Sequence, residues 1–329
     1  MPDPRPVVHV AAGVLRDPAG RILLAQRRPG KHLAGLWEFP GGKREADETI
    51  LAALARELGE EIGIRVLSAR SLIAVPWDYP GKRVLLDVWE ITAWSGTPHP
   101  REGQPLAWVD PAVIGEVPMP AADRPVIAAL RLPELYLITP PLAPASEEVV
   151  RAGLQCALAN GIRLIQLRLP GWPREAVAAL ARIAHRPCRT HDARLLVNGD
   201  WRLAVQLGLD GVHLPARIAA DLVRRPPGLE WLAVSCHDRA ELDVALRLDA
   251  DFVTLSPLRS TPGHPRSPAL GWSRLTELAA KFPLPIYALG GVTPTDLDAA
   301  RAAGAQGIAA IRGLWPPQPP QAAPPCKRR

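Results

Sequence analysis

Cysteine is scarce and long apolar runs are missing. Cys156, Cys188, Cys236 and Cys326 are the four cysteines in 329 residues, and none forms a CxxC pair or falls at another metal-ligand spacing. A zinc cluster or a disulfide framework of the kind found in small secreted domains is therefore not expected. The N-terminus, MPDPRPVVHV, lacks the apolar core of a signal peptide, and no stretch approaches the roughly 20 apolar residues that cross a bilayer. These absences predict a cytoplasmic protein with no membrane partner. A concentrated basic stripe is also lacking. The formal charge of +6 is spread along the chain and ends in Lys327-Arg328-Arg329. No direct nucleic-acid binding is expected from it, and polyphosphate ligands suffice to explain the sign.

What the chain does have is an ordinary folded composition, 47% hydrophobic and 22% charged, at a length that favours two domains. Proline is abundant at 38 residues, and the cluster WPPQPPQAAPP from Trp315 reads as a disordered or polyproline tail over 315–329.

One stretch organises the first half. From Asp47, a reasonable N-cap, Leu51, Leu54, Ala55, Leu58 and Ile62 recur at helical spacing and stop at Gly63, so a loop feeds an amphipathic helix. Glu57, Glu60 and Glu61 share its other face. Like charges three and four apart repel by about 0.2–0.5 kcal/mol per pair, and the helix C-terminus disfavours anions further. A hard divalent cation with oxygen ligands would offset this, and Mg2+ is held in this way, by a few carboxylates with waters and substrate phosphates.

The spacing of Gly42, Glu48, Arg56-Glu57-Leu58, Glu60-Glu61 and Gly63-Ile64 resembles the full signature of the Nudix hydrolases. LWEFPGGK, from Leu36 to Lys43, is similar to the MutT branch, which hydrolyses oxidised nucleoside triphosphates such as 8-oxo-dGTP to the monophosphate and pyrophosphate. The resemblance implies an α/β/α sandwich with a mixed sheet over residues 1–131. It implies Mg2+, with Mn2+ as a substitute, held by Glu57, Glu60, Glu61, Glu102 and the carbonyl of Gly41. Either Glu57 or Glu102 would take the proton of the attacking water, and Arg56 would orient the carboxylates. Arg27, Phe39, Lys43 and Asp123 fall where the family contacts a nucleoside triphosphate. The family commonly has Asn where this chain has Asp123, and an ionised aspartate only accepts hydrogen bonds. Base preference is therefore open at this point. Around these motifs, Val7–Leu15 and Ile22–Gln26 read as a hairpin across Asp17-Pro18-Ala19-Gly20, followed by a basic loop with Arg28, Lys31 and His32. Val66–Val75, Lys82–Trp94 and Leu106–Val109 read as further strands.

From Leu135 the rhythm becomes strand-helix alternation. Eight short apolar runs, from Leu135–Thr139 to Gly307–Ile311, with helical stretches between them predict a compact TIM (β/α)8 barrel over 133–314. LYLIT, IQLRL, GLDGVHL, AVSCHD and YALGGVTP are similar to the thiamine phosphate synthase and TenI family. That resemblance implies a thiazole or thiamine phosphate ligand, with Gln166, Arg168, Asn198, Gly290 and Gly291 as candidate contacts. The synthase pattern is incomplete. Pro170 replaces a lysine, Asn198-Gly199 and Ile218 stand where metal aspartates are expected, and Thr261-Pro262-Gly263-His264 lacks the phosphate-loop lysine. The TenI histidine position reads Pro257. The barrel is thus expected to be degenerate as a synthase. Two functions stay open for the whole chain: sanitation of oxidised nucleotides, tied to DNA repair, or hydrolysis of a thiamine-related pyrophosphate whose product the barrel binds or isomerises.

Overall fold

The structure, a computed structural model, describes residues 5–30, 33–260 and 268–316. Lys31, His32, the segment Thr261-Pro262-Gly263-His264 and the tail beyond Pro316 lie outside the described residues. The chain divides into two compact units that part between Leu132 and Pro133, the first also taking in Trp272–Ile286 and Ala299–Gln306. Among the described residues no helix is long and apolar enough to cross a membrane.

The first unit is built on seven strands: β1 Val7–Val14, β2 Ile22–Gln26, β3 Trp37–Glu38, β4 Gly41–Lys43, β5 Arg65–Tyr79, β6 Lys82–Ser95 and β7 Leu106–Val109. A mixed sheet runs β4-β1-β6-β5, with β1 parallel to β6 and the other pairs antiparallel. A second, antiparallel sheet runs β3-β2-β7. Helix α1, Ile50–Ile62, and helix α2, Arg124–Arg131, follow β4 and β7. Side chains alternate along β1 between two cores. Ala11 joins Leu54, Leu58 and Ile62 of α1, while Ala12 and Val14 join Val126 of α2, Phe39 and Val88. The mixed sheet is thereby buried on both faces, as the sandwich expectation requires.

The expected hairpin does not form as a paired ladder. Its turn is present, with the Asp17 carboxylate accepting the N–H groups of Ala19 and Arg21 at 3.0 and 2.8 Å. Beyond a single Arg16–Ile22 bridge, β1 and β2 diverge into different sheets, because β1 pairs along its whole length with β6 and β2 pairs with β7 from Ile22 to Ala25.

From Pro133 onward the chain forms a closed parallel barrel of β8 Leu135–Ile138, β9 Leu164–Leu167, β10 Arg194–Asn198, β11 Gly211–Leu214, β12 Trp231–Cys236, β13 Phe252–Leu255, β14 Ile286–Leu289 and β15 Gly307–Ala310. The intervening helices are α3 Glu147–Ala159, α4 Arg174–Thr190, α5 Trp201–Leu207, α6 Ala216–Ala220, α7 Arg239–Arg247, α8 Gly271–Ala279 and α9 Leu297–Ala302. The strands are almost wholly buried, as sheets covered on both faces must be. Tyr136, Phe252 and Tyr287 pack in the interior with ring centroids 5.4–5.5 Å apart.

Candidate active site

Helix α1 starts two residues later than Asp47 would set it. Thr49 is the N-cap, its Oγ1 accepting from the Ala52 N–H at 3.2 Å. The loop ahead of it folds back so that Glu48 accepts the Glu45 N–H at 2.8 Å and meets Arg56 Nη2 at 2.7 Å. Ala53, Leu54, Leu58 and Ile62 form the buried stripe, and Leu51 stays outside at 44% exposure. Gly63 ends the helix in the left-handed region, φ 70°.

Arg56 is the hub of the acidic face. Its guanidinium donates to Glu48, to Glu57 Oε1 at 2.8 Å, to Glu60 Oε2 at 3.2 Å and to the Lys43 carbonyl at 3.0 Å. It ties β4 to α1 and sets the rotamers of two adjacent carboxylates. Gly42 is required here, since a Cβ at that position would overlap the Glu57 carboxylate. Glu60 reaches outward, its side chain 60% exposed.

Glu61 turns the other way, into the fold, where its Oε2 accepts the Gly41 N–H at 3.0 Å. Burial pushes its carboxyl up to about 7; the Gly41 N–H opposes this, and Glu38, Glu102 and Glu57 add to it. Four carboxylates therefore share one field. Glu102 arrives from a distant loop by a mechanism no local pattern signals. The carbonyls left open at the C-terminus of α1 are filled by that loop: His99 N–H to Ile62, Arg101 N–H and Gln104 Nε2 to Glu61, and Arg101 Nη1 to Gly59, at 2.8–3.1 Å. Arg28 then holds Glu102 through its carboxylate and its carbonyl, both at 2.6 Å.

A second charged group lies around β3. Arg27 is ion-paired with Glu38, and both act electrostatically on Asp123, which is 5% exposed. Burial first, then Glu38, pushes the Asp123 carboxyl up to about 8 against the pull of Arg27. Tyr79 faces the same carboxyl. Phe39 is covered at 3% exposure, within the core against α2, and Lys43 is exposed.

In the barrel, Gln166 Nε2 donates to Tyr136 Oη at 3.3 Å, Tyr136 Oη meets His213 Nδ1 at 2.9 Å, and His213 Nε2 meets Ser235 Oγ at 2.8 Å. Burial, with the charge of Arg168 behind it, lowers the His213 imidazole to about 3, so it is neutral. With the amide donating to Tyr136, the phenol proton goes to Nδ1, which assigns the proton of His213 to Nε2. This histidine is then a donor to Ser235 and no base for it. Arg168 is anchored by mutual backbone bonds with Thr139 Oγ1 at 2.8 Å, and Asn198 stands beside His213 in register. Gly290 and Gly291 have φ 107° and 70°, and their carbonyls take Arg259 N–H at 3.0 Å and Nη1 at 2.9 Å.

Residues 11–129 match the model of the NUDIX domain, and residues 135–314 match that of thiamine monophosphate synthase. The chain belongs to both families. Its Nudix domain is 40% identical over 124 residues to an 8-oxo-dGTP diphosphatase of Haemophilus influenzae, covering 38% of this chain and 91% of that one. It is also 40% identical over 120 residues to a CTP pyrophosphohydrolase of Escherichia coli, covering 36% and 87%. The synthase-like domain is 35% identical over 198 residues to a thiamine-phosphate synthase of Bordetella avium, covering 56% and 89%.

Nudix hydrolases use divalent metal ions, and the oxygens of this domain suit one. Among the described residues no three His, Cys, Asp or Glu side chains are gathered as a self-sufficient metal cage. A hard ion that keeps waters and binds substrate phosphates does not need one. Burial, with three neighbouring carboxylates adding to it, raises Glu61, and a divalent ion held there would offset both. Sequence reasoning anticipated Glu57, Glu61, Glu102 and Arg56 in one neighbourhood. It did not assign Glu38, although it lies in LWEFPGGK beside Phe39, or Gln104, which docks the loop of Glu102. In the barrel it missed Tyr136, His213 and Ser235, each of which sits in a quoted strand-end motif.

Proposed function

We propose that the Nudix domain is a Mg2+-dependent pyrophosphohydrolase acting on 8-oxo-dGTP, giving 8-oxo-dGMP and pyrophosphate, and so removing an oxidised nucleotide before DNA synthesis. The observation that carries this reading is the shared field of Glu57, Glu61, Glu102 and Glu38, with arginines at its rim. Glu57, Glu60, Glu61 and Glu102 would hold the ion together with the Gly41 carbonyl. When bound, the ion supplies polarisation of the attacked phosphate and a lowered pKa for the attacking water. The chain's own part is to position and to move a proton. Arg56 keeps Glu57 in place, Gly41 keeps Glu61 in place, and Glu57 or Glu102 accepts the proton of the water as the anhydride bond between the monophosphate and pyrophosphate products breaks. Arg27 and Arg28 are placed to meet phosphate oxygens once these displace Glu38 and Glu102. The barrel, with neutral donors and Arg168 at its polar end, binds a thiazole- or thiamine-type phosphate without synthase chemistry.

Initial rates of product release with Mg2+ from 8-oxo-dGTP, dGTP, CTP and thiamine diphosphate test this, with Glu60→Gln as control. Preferential pyrophosphate release from 8-oxo-dGTP that is lost in the variant is expected. Turnover of thiamine diphosphate with neglect of 8-oxo-dGTP would overturn the assignment and make the barrel the guide to substrate. A preference for CTP would keep the hydrolase and discard its role with oxidised bases.

A further inference from the structure

We propose that Gln104 is a positioning residue for hydrolysis: its single amide ties the main chain of Glu61 to that of Glu102 and so fixes the spacing of two carboxylates that meet one ion. This role rests on the hydrolase reading above, in which Glu61 and Glu102 hold that ion, and adds what keeps the two together.

Gln104 is 5% exposed in the loop between β6 and β7. Its Nε2 donates to the Glu61 carbonyl at 2.8 Å, and its Oε1 accepts the Glu102 N–H at 3.1 Å. Both partners are main-chain groups, one only an acceptor and the other only a donor, so the orientation of the amide follows from them. A glutamate of the same shape would set a carboxylate oxygen against a carbonyl. A methionine would fill the space and bond neither group. The base of the clamp is fixed as well, since the carbonyl of the next residue, Pro105, accepts the Gln26 N–H of β2 at 2.9 Å. Gly103, with φ 77°, supplies the left-handed turn that brings the side chain of Gln104 back to residue 102.

The charges of Glu61 and Glu102 oppose each other. Before an ion binds, carboxylates from two segments part unless something other than their own charge holds them. Arg28 also holds Glu102, through its carboxylate and its carbonyl. That hold ends when Arg28 turns to a phosphate, and it competes with the ion for the same carboxylate. The bond to Gln104 does neither, because it takes the N–H of Glu102 and does not engage the carboxylate oxygens. The Glu102 side chain can thus pass from Arg28 to the ion while its backbone stays at the end of α1.

The test is a double-mutant cycle on the full-length protein: parent, Gln104→Met, Glu102→Gln and the two combined. Gln104→Met is expected to fold, because the Glu61 carbonyl keeps the Arg101 N–H at 3.0 Å. Mn2+ affinity is read by electron paramagnetic resonance without substrate. The kinetic arm reads kcat and KM at saturating Mg2+ for whichever of 8-oxo-dGTP, dGTP and CTP the parent hydrolyses fastest. Gln104→Met alone should lower Mn2+ affinity and kcat about tenfold each and change KM less than about twofold, as for loss of a group that orients a ligand. In the Glu102→Gln background the same substitution should cost less than about twofold in either quantity, because the group it positions is gone. Equal cost in both backgrounds, or no cost in either, overturns the inference and leaves the hydrolase reading standing. Should Gln104→Met not fold, Gln104→Asn, which keeps a buried amide one methylene too short to span both groups, takes its place in the cycle. A Glu102→Gln variant with unchanged Mn2+ affinity and kcat overturns the role of Glu102 and the inference with it. A parent that hydrolyses none of the three nucleotides overturns the substrate reading alone, since the Mn2+ arm still decides the clamp.

Discussion

Glu57→Gln is expected to lower pyrophosphate release by about 10²–10⁴-fold while leaving the fold intact. The substitution keeps shape: the amide occupies the space that Gly42 leaves open, and its oxygen still accepts from Arg56 Nη1. What it removes is one negative charge from the field around Glu61 and one acceptor for the proton of the water. Both losses act on the chemistry. Initial rates across a Mg2+ titration separate them, because weaker metal binding is restored by more Mg2+ and a lost proton acceptor is not. Arg56→Lys provides the contrast. A single ammonium cannot reach Glu48, Glu57, Glu60 and the Lys43 carbonyl at once, so activity should fall by about 10–100-fold through misplacement of the carboxylates. If Glu57→Gln costs less than about tenfold at all Mg2+ concentrations, neither role belongs to Glu57.

How far the sequence reached depended on the range of the interaction. The α1 helix and its acidic face were legible because both follow from spacing within a few turns. The barrel was legible because each strand is a short apolar run, and the expected Leu135–Thr139 and Gly307–Ile311 each end one residue beyond the observed Leu135–Ile138 and Gly307–Ala310. The cap at Thr49 was not, since it depends on Glu48 being drawn to Arg56 eight residues away. The missing β1–β2 hairpin has the same cause on a larger scale: local turn chemistry was satisfied, but β6 and β7 offered each strand more pairing. The loop of Glu102 docks on carbonyls of α1 some forty positions earlier in the chain, as the spacing of Gln104 from Glu61 shows. The Tyr136 to His213 contact spans 77 positions. Residue type alone left the charge of Asp123 open, and its burial, which no local pattern shows, favours the neutral acid.

Raising the pH from about 5 to about 8 should weaken the unit that holds Asp123 and strengthen the barrel. Asp123 is raised from 3.8 to about 8, so between those values the folded chain holds a proton that the unfolded chain has released. The slope of stability against pH is then negative, and the loss is complete at about 8. His213 is lowered from 6.5 to about 3, so below 6.5 the unfolded chain binds a proton that the folded barrel refuses. Its slope is positive, and the barrel loses stability as the pH falls through 6.5. At 1.36 kcal/mol per unit, the interval is worth up to about 4 kcal/mol from Asp123 against the first unit, to which Glu61, raised to about 7, adds in the same direction, and about 2 kcal/mol from His213 in favour of the barrel. Calorimetry of the full chain, with Asp123→Asn and His213→Gln to assign each contribution, should show transitions that move in opposite directions. Asp123→Asn should raise the first transition at pH 8 and change it far less below about pH 3, where the carboxyl is protonated in the folded and the unfolded chain alike. A variant whose pH slope equals that of the parent would mean that Asp123 is ionised in the fold.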